Sequence, residues 1–148
     1  MEEINFRFKE RDINDVLAQE LRSAGYWVLQ EVRVPPNELD LIVLDPLTLH
    51  LTCFEIKRNN WKTLLQQAVK TRLYGHYSIA VLPKPKNNTI PLGEFEKRGV
   101  GVLYFYNTNG KFEFLQSIKP EFNTTCNRFL KRNLYKRFGG IYHGGTNE

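Results

Sequence analysis

Glu55-Ile56-Lys57 sets a carboxylate two residues before an ammonium, at what reads as the end of an apolar strand. Asp40 opens the apolar stretch just before it. The run 38–57, ELDLIVLDPLTLHLTCFEIK, divides into β segments 39–44 and 49–57 around the breaker Asp45-Pro46. If residues 45–48 form a turn with proline in its favoured second position, antiparallel partners have numbers summing to 93 and Asp40 faces Cys53. Glu55 is then the diagonal neighbour on the same face, roughly 7–8 Å away. Lys57 lies one step further along that face, because strand side chains alternate with a period of two. Two carboxylates so placed suit a hard divalent cation, which takes acidic oxygens and retains several waters. An ammonium beside them adds positive charge where an attacked phosphate becomes more negative. Phosphodiester hydrolysis is the chemistry that fits this set.

The flanking elements follow from pattern. Asp12-Ile13-Asn14-Asp15 opens a helix over 12–24 whose apolar residues recur at helical spacing until Gly25. Residues 26–34, YWVLQEVRV, have the aromatic and β-branched content of a strand, and Pro35-Pro36-Asn37 ends it. Three strands in succession make a meander. Asn59-Asn60 caps a helix over 61–74 that Gly75 terminates. Residues 77–82, YSIAVL, read as a buried central strand, reached by a right-handed crossover and therefore parallel to the Glu55 strand. A short helix over 92–98 follows, then a hairpin over 100–115 turning at Asn109-Gly110. A basic helix over 122–138, with Phe129, Leu130 and Leu134 on one side, completes the pattern.

This order of elements and these residues resemble the PD-(D/E)XK nuclease superfamily, whose restriction-endonuclease-like fold has an αβββαβ core. Its motif is an acid at the start of the second strand and (D/E)-x-K on the third, matched here by Asp40, Glu55 and Lys57. Leu39 stands where many members carry a proline. Within the superfamily, WKTLLQQA after EIK, then YSIAVLP and RGVGVLYF, look like a group of small uncharacterised nuclease-like proteins. The resemblance covers residues 10–106.

It implies an α/β protein with a central mixed sheet flanked by helices, and a Mg²⁺-dependent deoxyribonuclease working with Mg²⁺ or Mn²⁺. Asp40, Glu55 and the Ile56 carbonyl would bind the metal, Lys57 would orient the attacking water, and Gln67, rather than Gln66, would position Lys57 or the phosphate. Glu20 on the first helix would be an outer residue of the metal site or a ligand of a second metal, and Glu38 is a competing acid two residues before Asp40. The alternative is a catalytically inactive nucleic-acid-binding or protein-interaction module of the same fold.

Composition and charge set the frame. With 148 residues, 41% of them hydrophobic, the chain suits one compact core: a nuclease-like domain over 1–116 and a basic extension over 117–148, packed on the core or trailing from it. Residues 1–116 carry 15 basic and 14 acidic side chains, and 117–148 carry 6 and 2, so the net charge of +5 is mostly a tail property. Arg128, Lys131, Arg132, Lys136 and Arg137 are expected to neutralise phosphates of DNA. Cys53 and Cys126 have neither metal spacing nor a disulfide framework, and His50, His76 and His143 read as isolated. No stretch approaches the roughly 18 apolar residues of a membrane span, and no apolar leader opens the chain, so a cytoplasmic protein is expected. A homodimer would suit double-strand cutting.

Overall fold

The computed structural model describes residues 9–87 and 90–139. Helix α1 (Glu10–Ser23) begins where the Asp12 carboxylate accepts from the Lys9 backbone N–H at 2.8 Å, and Glu10 and Asp12 in its first turn complement the helix dipole. A meander follows, of β1 (Trp27–Val34), β2 (Asn37–Leu44) and β3 (Leu51–Ile56). Helix α2 (Trp61–Thr71) is capped by the Asn60 side chain, which accepts from Thr63 N at 3.2 Å. Then come β4 (Tyr77–Pro83), α3 (Leu92–Lys97), β5 (Gly101–Thr108), β6 (Lys111–Ile118) and α4 (Arg128–Arg137). The result is an α/β fold with one six-stranded mixed sheet in chain order, antiparallel except for the β3–β4 and β4–β5 pairs.

Helices cover both faces. Ile13, Leu17 and Ala18 of α1 pack on Leu41, Val43, Phe54, Ile56 and Val81. On the opposite face, Leu64, Leu65 and Ala68 of α2 pack on Ala80, Leu82 and Val102, with Phe95 of α3 beside them. Leu134 of α4 and Phe138, just past its end, join Tyr74, Ile42, Leu44 and Leu51. Burying each of these two anchors contributes about 1.5–3 kcal/mol, enough to hold the tail on the core. Gly75 is favoured by close approach: a Cβ there would sit 3.0 Å from the Leu51 carbonyl oxygen.

Three expectations are corrected. The tail helix begins at Arg128, not 122, and its apolar face is Leu130, Leu134 and Phe138, whereas Phe129 is 78% exposed. The hairpin's second strand runs to Ile118, three residues past its expected end at 115. The β2–β3 register also differs. The connection is a loop over 45–50, closed by Asp45 N to His50 O at 3.0 Å and Leu49 N to Asp45 O at 2.7 Å. That adds two residues to the assumed turn, so Leu41 pairs with Phe54 and Ile42 with Cys53. A shift of two preserves the faces and brings Glu55, instead of Cys53, opposite Asp40.

The hairpin β1–β2 bends where Asp40 lies. Pairing runs from Trp27↔Leu44 to Gln30↔Leu41, skips Glu31 and Asp40, and resumes at Val32↔Leu39. Glu31 has φ 50, a left-handed conformation costing about 1–2 kcal/mol for a residue with a Cβ. Val28 and Leu41 lie in the core under α1, whereas Val32 and Leu39 lie in the core under α4. Both strands therefore change face at one point.

Candidate active site

At the end of β3, the side chains meet in a cleft of about 340 Å³ lined by Glu10, Glu38, Asp40, Glu55, Lys57 and Gln67, with Lys70 and Thr71 on its α2 wall. The kink in β2 makes this possible. With regular pairing lost at Asp40, its carboxylate replaces a main-chain acceptor and takes the Ile56 N–H at 2.7 Å. The Ile56 carbonyl points to the same side as that N–H, toward the carboxylates, since both groups of a strand residue face one neighbour. On its other side β3 continues into the parallel pair, with Lys57 N donating to Val81 O at 3.0 Å.

Glu55 is 3% exposed, and its Oε2 has no hydrogen-bond partner among the described residues. A buried polar atom left in this way costs about 1–3 kcal/mol or more unless a water or an ion meets it. Burial pushes the Glu55 carboxyl up to about 9, helped by the Asp40 charge and a carboxyl–carboxyl hydrogen bond. The Asp40 N–H and the Lys57 charge pull the other way. Asp40 is also raised, chiefly by burial and further by the Glu10 charge, against the stabilising Ile56 N–H and the Lys57 ammonium. The two groups titrate as a pair that keeps a proton at neutral pH. A divalent cation could replace that proton, its positive charge relieving the repulsion that burial magnifies.

The donor set fits such a cation: two carboxylates, one of them with an unpartnered oxygen, a main-chain carbonyl, and room for water. It is a sparse set. Among the described residues, no group of three or more His, Cys, Asp and Glu is arranged to hold a metal ion. Mg²⁺ and Mn²⁺ remain compatible, because they take few protein oxygens and keep water in the other positions.

Of the residues singled out by sequence, Asp40, Glu55, Ile56, Lys57 and Gln67 converge, and Gln66 faces a separate groove beside Trp61. Glu20 does not converge. It is exposed near the far end of α1 and does not line the cleft. At 1.5 Å per residue it stands about 15 Å along the axis from Glu10, the α1 residue at the site. Glu10 Oε2 accepts from Arg58 N at 3.0 Å, which ties the start of α1 to the end of β3. Sequence reading missed Glu10 and Lys70; the first acid of the first helix, and a lysine three residues after Gln67 on the same helical face, were the available signals. Glu38 is exposed at the cleft wall.

The tail helix carries its charge outward. Arg128, Arg132 and Lys136 are exposed, Lys131 is half-buried, and Arg137 donates to the Arg33 carbonyl at 2.7 Å. His50 and His76 are not isolated as expected: their rings are 4.8 Å apart, and His76 stacks on Phe122. His143 lies outside the described residues. Cys53 is buried and Cys126 half-buried, both free thiols. Among the described residues, no helix is long and apolar enough to cross a membrane.

No protein-family model matches the chain, and no curated protein matches it. Among solved structures it is similar to the SPO1766 protein of unknown function from Silicibacter pomeroyi, with a TM-score of 0.59 and 16% identity, over 89% of this chain and 85% of that one. At that identity the likeness speaks of the fold alone.

Proposed function

We propose that the protein is a metal-dependent nuclease that hydrolyses phosphodiester bonds of DNA with a PD-(D/E)XK-type site on a restriction-endonuclease-like αβββαβ core. One observation carries the reading. Glu55 is buried with an unpartnered oxygen against Asp40, while Lys57 stands beside the pair on the same wall of an open cleft.

Asp40, Glu55 and the Ile56 carbonyl would hold Mg²⁺ or Mn²⁺, which when bound supplies Lewis-acid stabilisation of phosphate charge. Lys57 orients the attacking water and offsets charge on the phosphate, and Gln67 and Lys70 contact the phosphate from the α2 wall. Glu10 is an outer carboxylate in the place first assigned to Glu20. The exposed Arg128, Arg132 and Lys136 contribute salt-dependent affinity for the DNA backbone.

The test is cleavage of labelled linear, circular, single-stranded and branched DNAs with Mn²⁺ or Mg²⁺, alongside calorimetric titration of either ion. Metal-dependent cutting that disappears in Lys57→Ala is expected. DNA binding without cation binding or cutting would replace the nuclease by a non-catalytic binding module.

A further inference from the structure

The main chain at Asp40 is held by a polar chain that runs from buried Asn14 through half-buried Gln30 to exposed Asp15 and Arg22, and that the proposed chemistry does not use. Asn14 of α1 is 3% exposed, and its Nδ2 donates to the Asp40 carbonyl at 2.8 Å. Its Oδ1 accepts from Gln30 Nε2 of β1 at 2.9 Å. The same Gln30 nitrogen donates to the Asp15 carboxylate at 2.8 Å, and Gln30 Oε1 accepts from Arg22 at 3.4 Å.

The direction of this chain is determined at its far end. A carboxylate only accepts and a guanidinium only donates, so Asp15 and Arg22 together orient the Gln30 amide. Gln30 then presents N–H to Asn14, which must turn its oxygen toward β1 and its nitrogen toward Asp40. The Asp40 carbonyl needs that donor because regular β1–β2 pairing skips this residue. The peptide is therefore clamped on one side by Asn14 while its side chain is engaged on the other by Ile56 N–H.

We infer that Asn14 is a positioning residue: it fixes the rotation of the Asp40 peptide and so aims the carboxylate into the cleft, with Gln30 fixing the orientation of its amide. The inference deepens the reading of the cleft as a metal-dependent nuclease site and rests on it. A residue acting through a ligand in this way typically changes metal affinity by about 10–100-fold.

The experiment uses the full chain and three readouts: Mn²⁺ affinity by calorimetry, steady-state cleavage of duplex DNA, and hydrogen exchange at the Ile56 amide. Asn14→Leu should weaken Mn²⁺ binding about tenfold or more. It should lower kcat with KM for DNA unchanged, and speed exchange at Ile56 while the Lys57 amide, held by Val81, stays protected. Asn14→Asp keeps the size and the acceptor toward Gln30 but in its ionised form cannot donate to Asp40, and should then behave alike. Gln30→Met, at a half-buried position, gives a milder loss of the same kind and serves if the Asn14 variants do not fold. Ser78→Ala is the control: Ser78 is fully buried and its hydroxyl bonds the Ala68 carbonyl and the Thr71 hydroxyl of α2, so it removes interior bonds on the α2 face and none to Asp40. It should leave Mn²⁺ affinity unchanged. Variants at Asn14 or Gln30 with Mn²⁺ affinity within twofold of wild type and unchanged Ile56 exchange would overturn the inference, as would an equal loss in Ser78→Ala. Wild-type protein that binds no Mn²⁺ would instead defeat the nuclease reading, and Ile56 exchange alone would then decide the role of Asn14.

Discussion

The two ends of β3 each hold a buried titratable side chain, and they are treated differently. At the start of the strand, His76 is 8% exposed and its Nδ1 accepts the Leu51 N–H at 2.9 Å, so the ring is neutral and its acceptor is used. Burial lowers it to about 4, with the Lys131 and His50 charges adding to the effect. At the other end Glu55 is buried as deeply, yet keeps an oxygen without a partner and is raised to about 9. A satisfied buried group is a strut, and an unsatisfied one facing a cleft is a place for something to bind.

Several experiments would break or sharpen that contrast. The largest effect is expected at the open end: Lys57→Ala or Asp40→Asn should lower DNA cleavage by about 10²–10³-fold or more, with circular dichroism unchanged. Full activity in either variant would remove the site. At the closed end, His76→Ala should leave metal binding intact but destabilise the protein by about 2–3 kcal/mol in denaturant unfolding, by orphaning the Leu51 N–H.

The pH dependence of stability should separate the ends. Glu55 has a folded pKa of about 9, above its ordinary 4.5. Its share of stability is therefore complete below 4.5 and is lost as pH rises toward 9. His76 runs oppositely: with a folded pKa of about 4 below an ordinary 6.5, its share is complete above 6.5 and is lost as pH falls through 4. Glu55→Gln should flatten the alkaline decline without touching the acid limb, read from urea midpoints between pH 4 and 9. Adding Mn²⁺ to the wild type at about 100 times its Kd should restore about 2.7 kcal/mol, more readily at pH 8 than at pH 6, because the ion competes with the proton. The smallest effect concerns the tail. Replacing Arg128, Arg132 and Lys136 by alanine should reduce the salt slope of DNA binding by about 2–3. An unchanged slope would place the grip elsewhere.

Much of the framework was legible in local pattern. The meander, the helix between β3 and β4, and the shared face of Asp40, Glu55 and Lys57 follow from periodicity and turn residues, which act over a few neighbours. The register was misread by two because Leu49 adopts a left-handed φ of 64 in a longer loop, against its own preference. Phe129 was assigned inward because helical spacing identifies a stripe but not the rotation at which it docks. Glu20 was singled out and Glu10 missed because the expected helix began at residue 12, two residues after Glu10, and which end of α1 meets β3 is decided by tertiary contacts.

The amino-acid sequence by itself determined the alternation of elements and the carboxylate, carboxylate and ammonium set, because periodicity, capping and spacing are properties of short segments. Tertiary structure alone decided that Glu55 would be buried with an unpartnered oxygen, that Glu10 and Lys70 would complete the cleft, and that Asn14 would reach the carbonyl of Asp40. Those outcomes depend on contacts between residues far apart in the chain and on the exclusion of water where they meet, neither of which any local segment encodes.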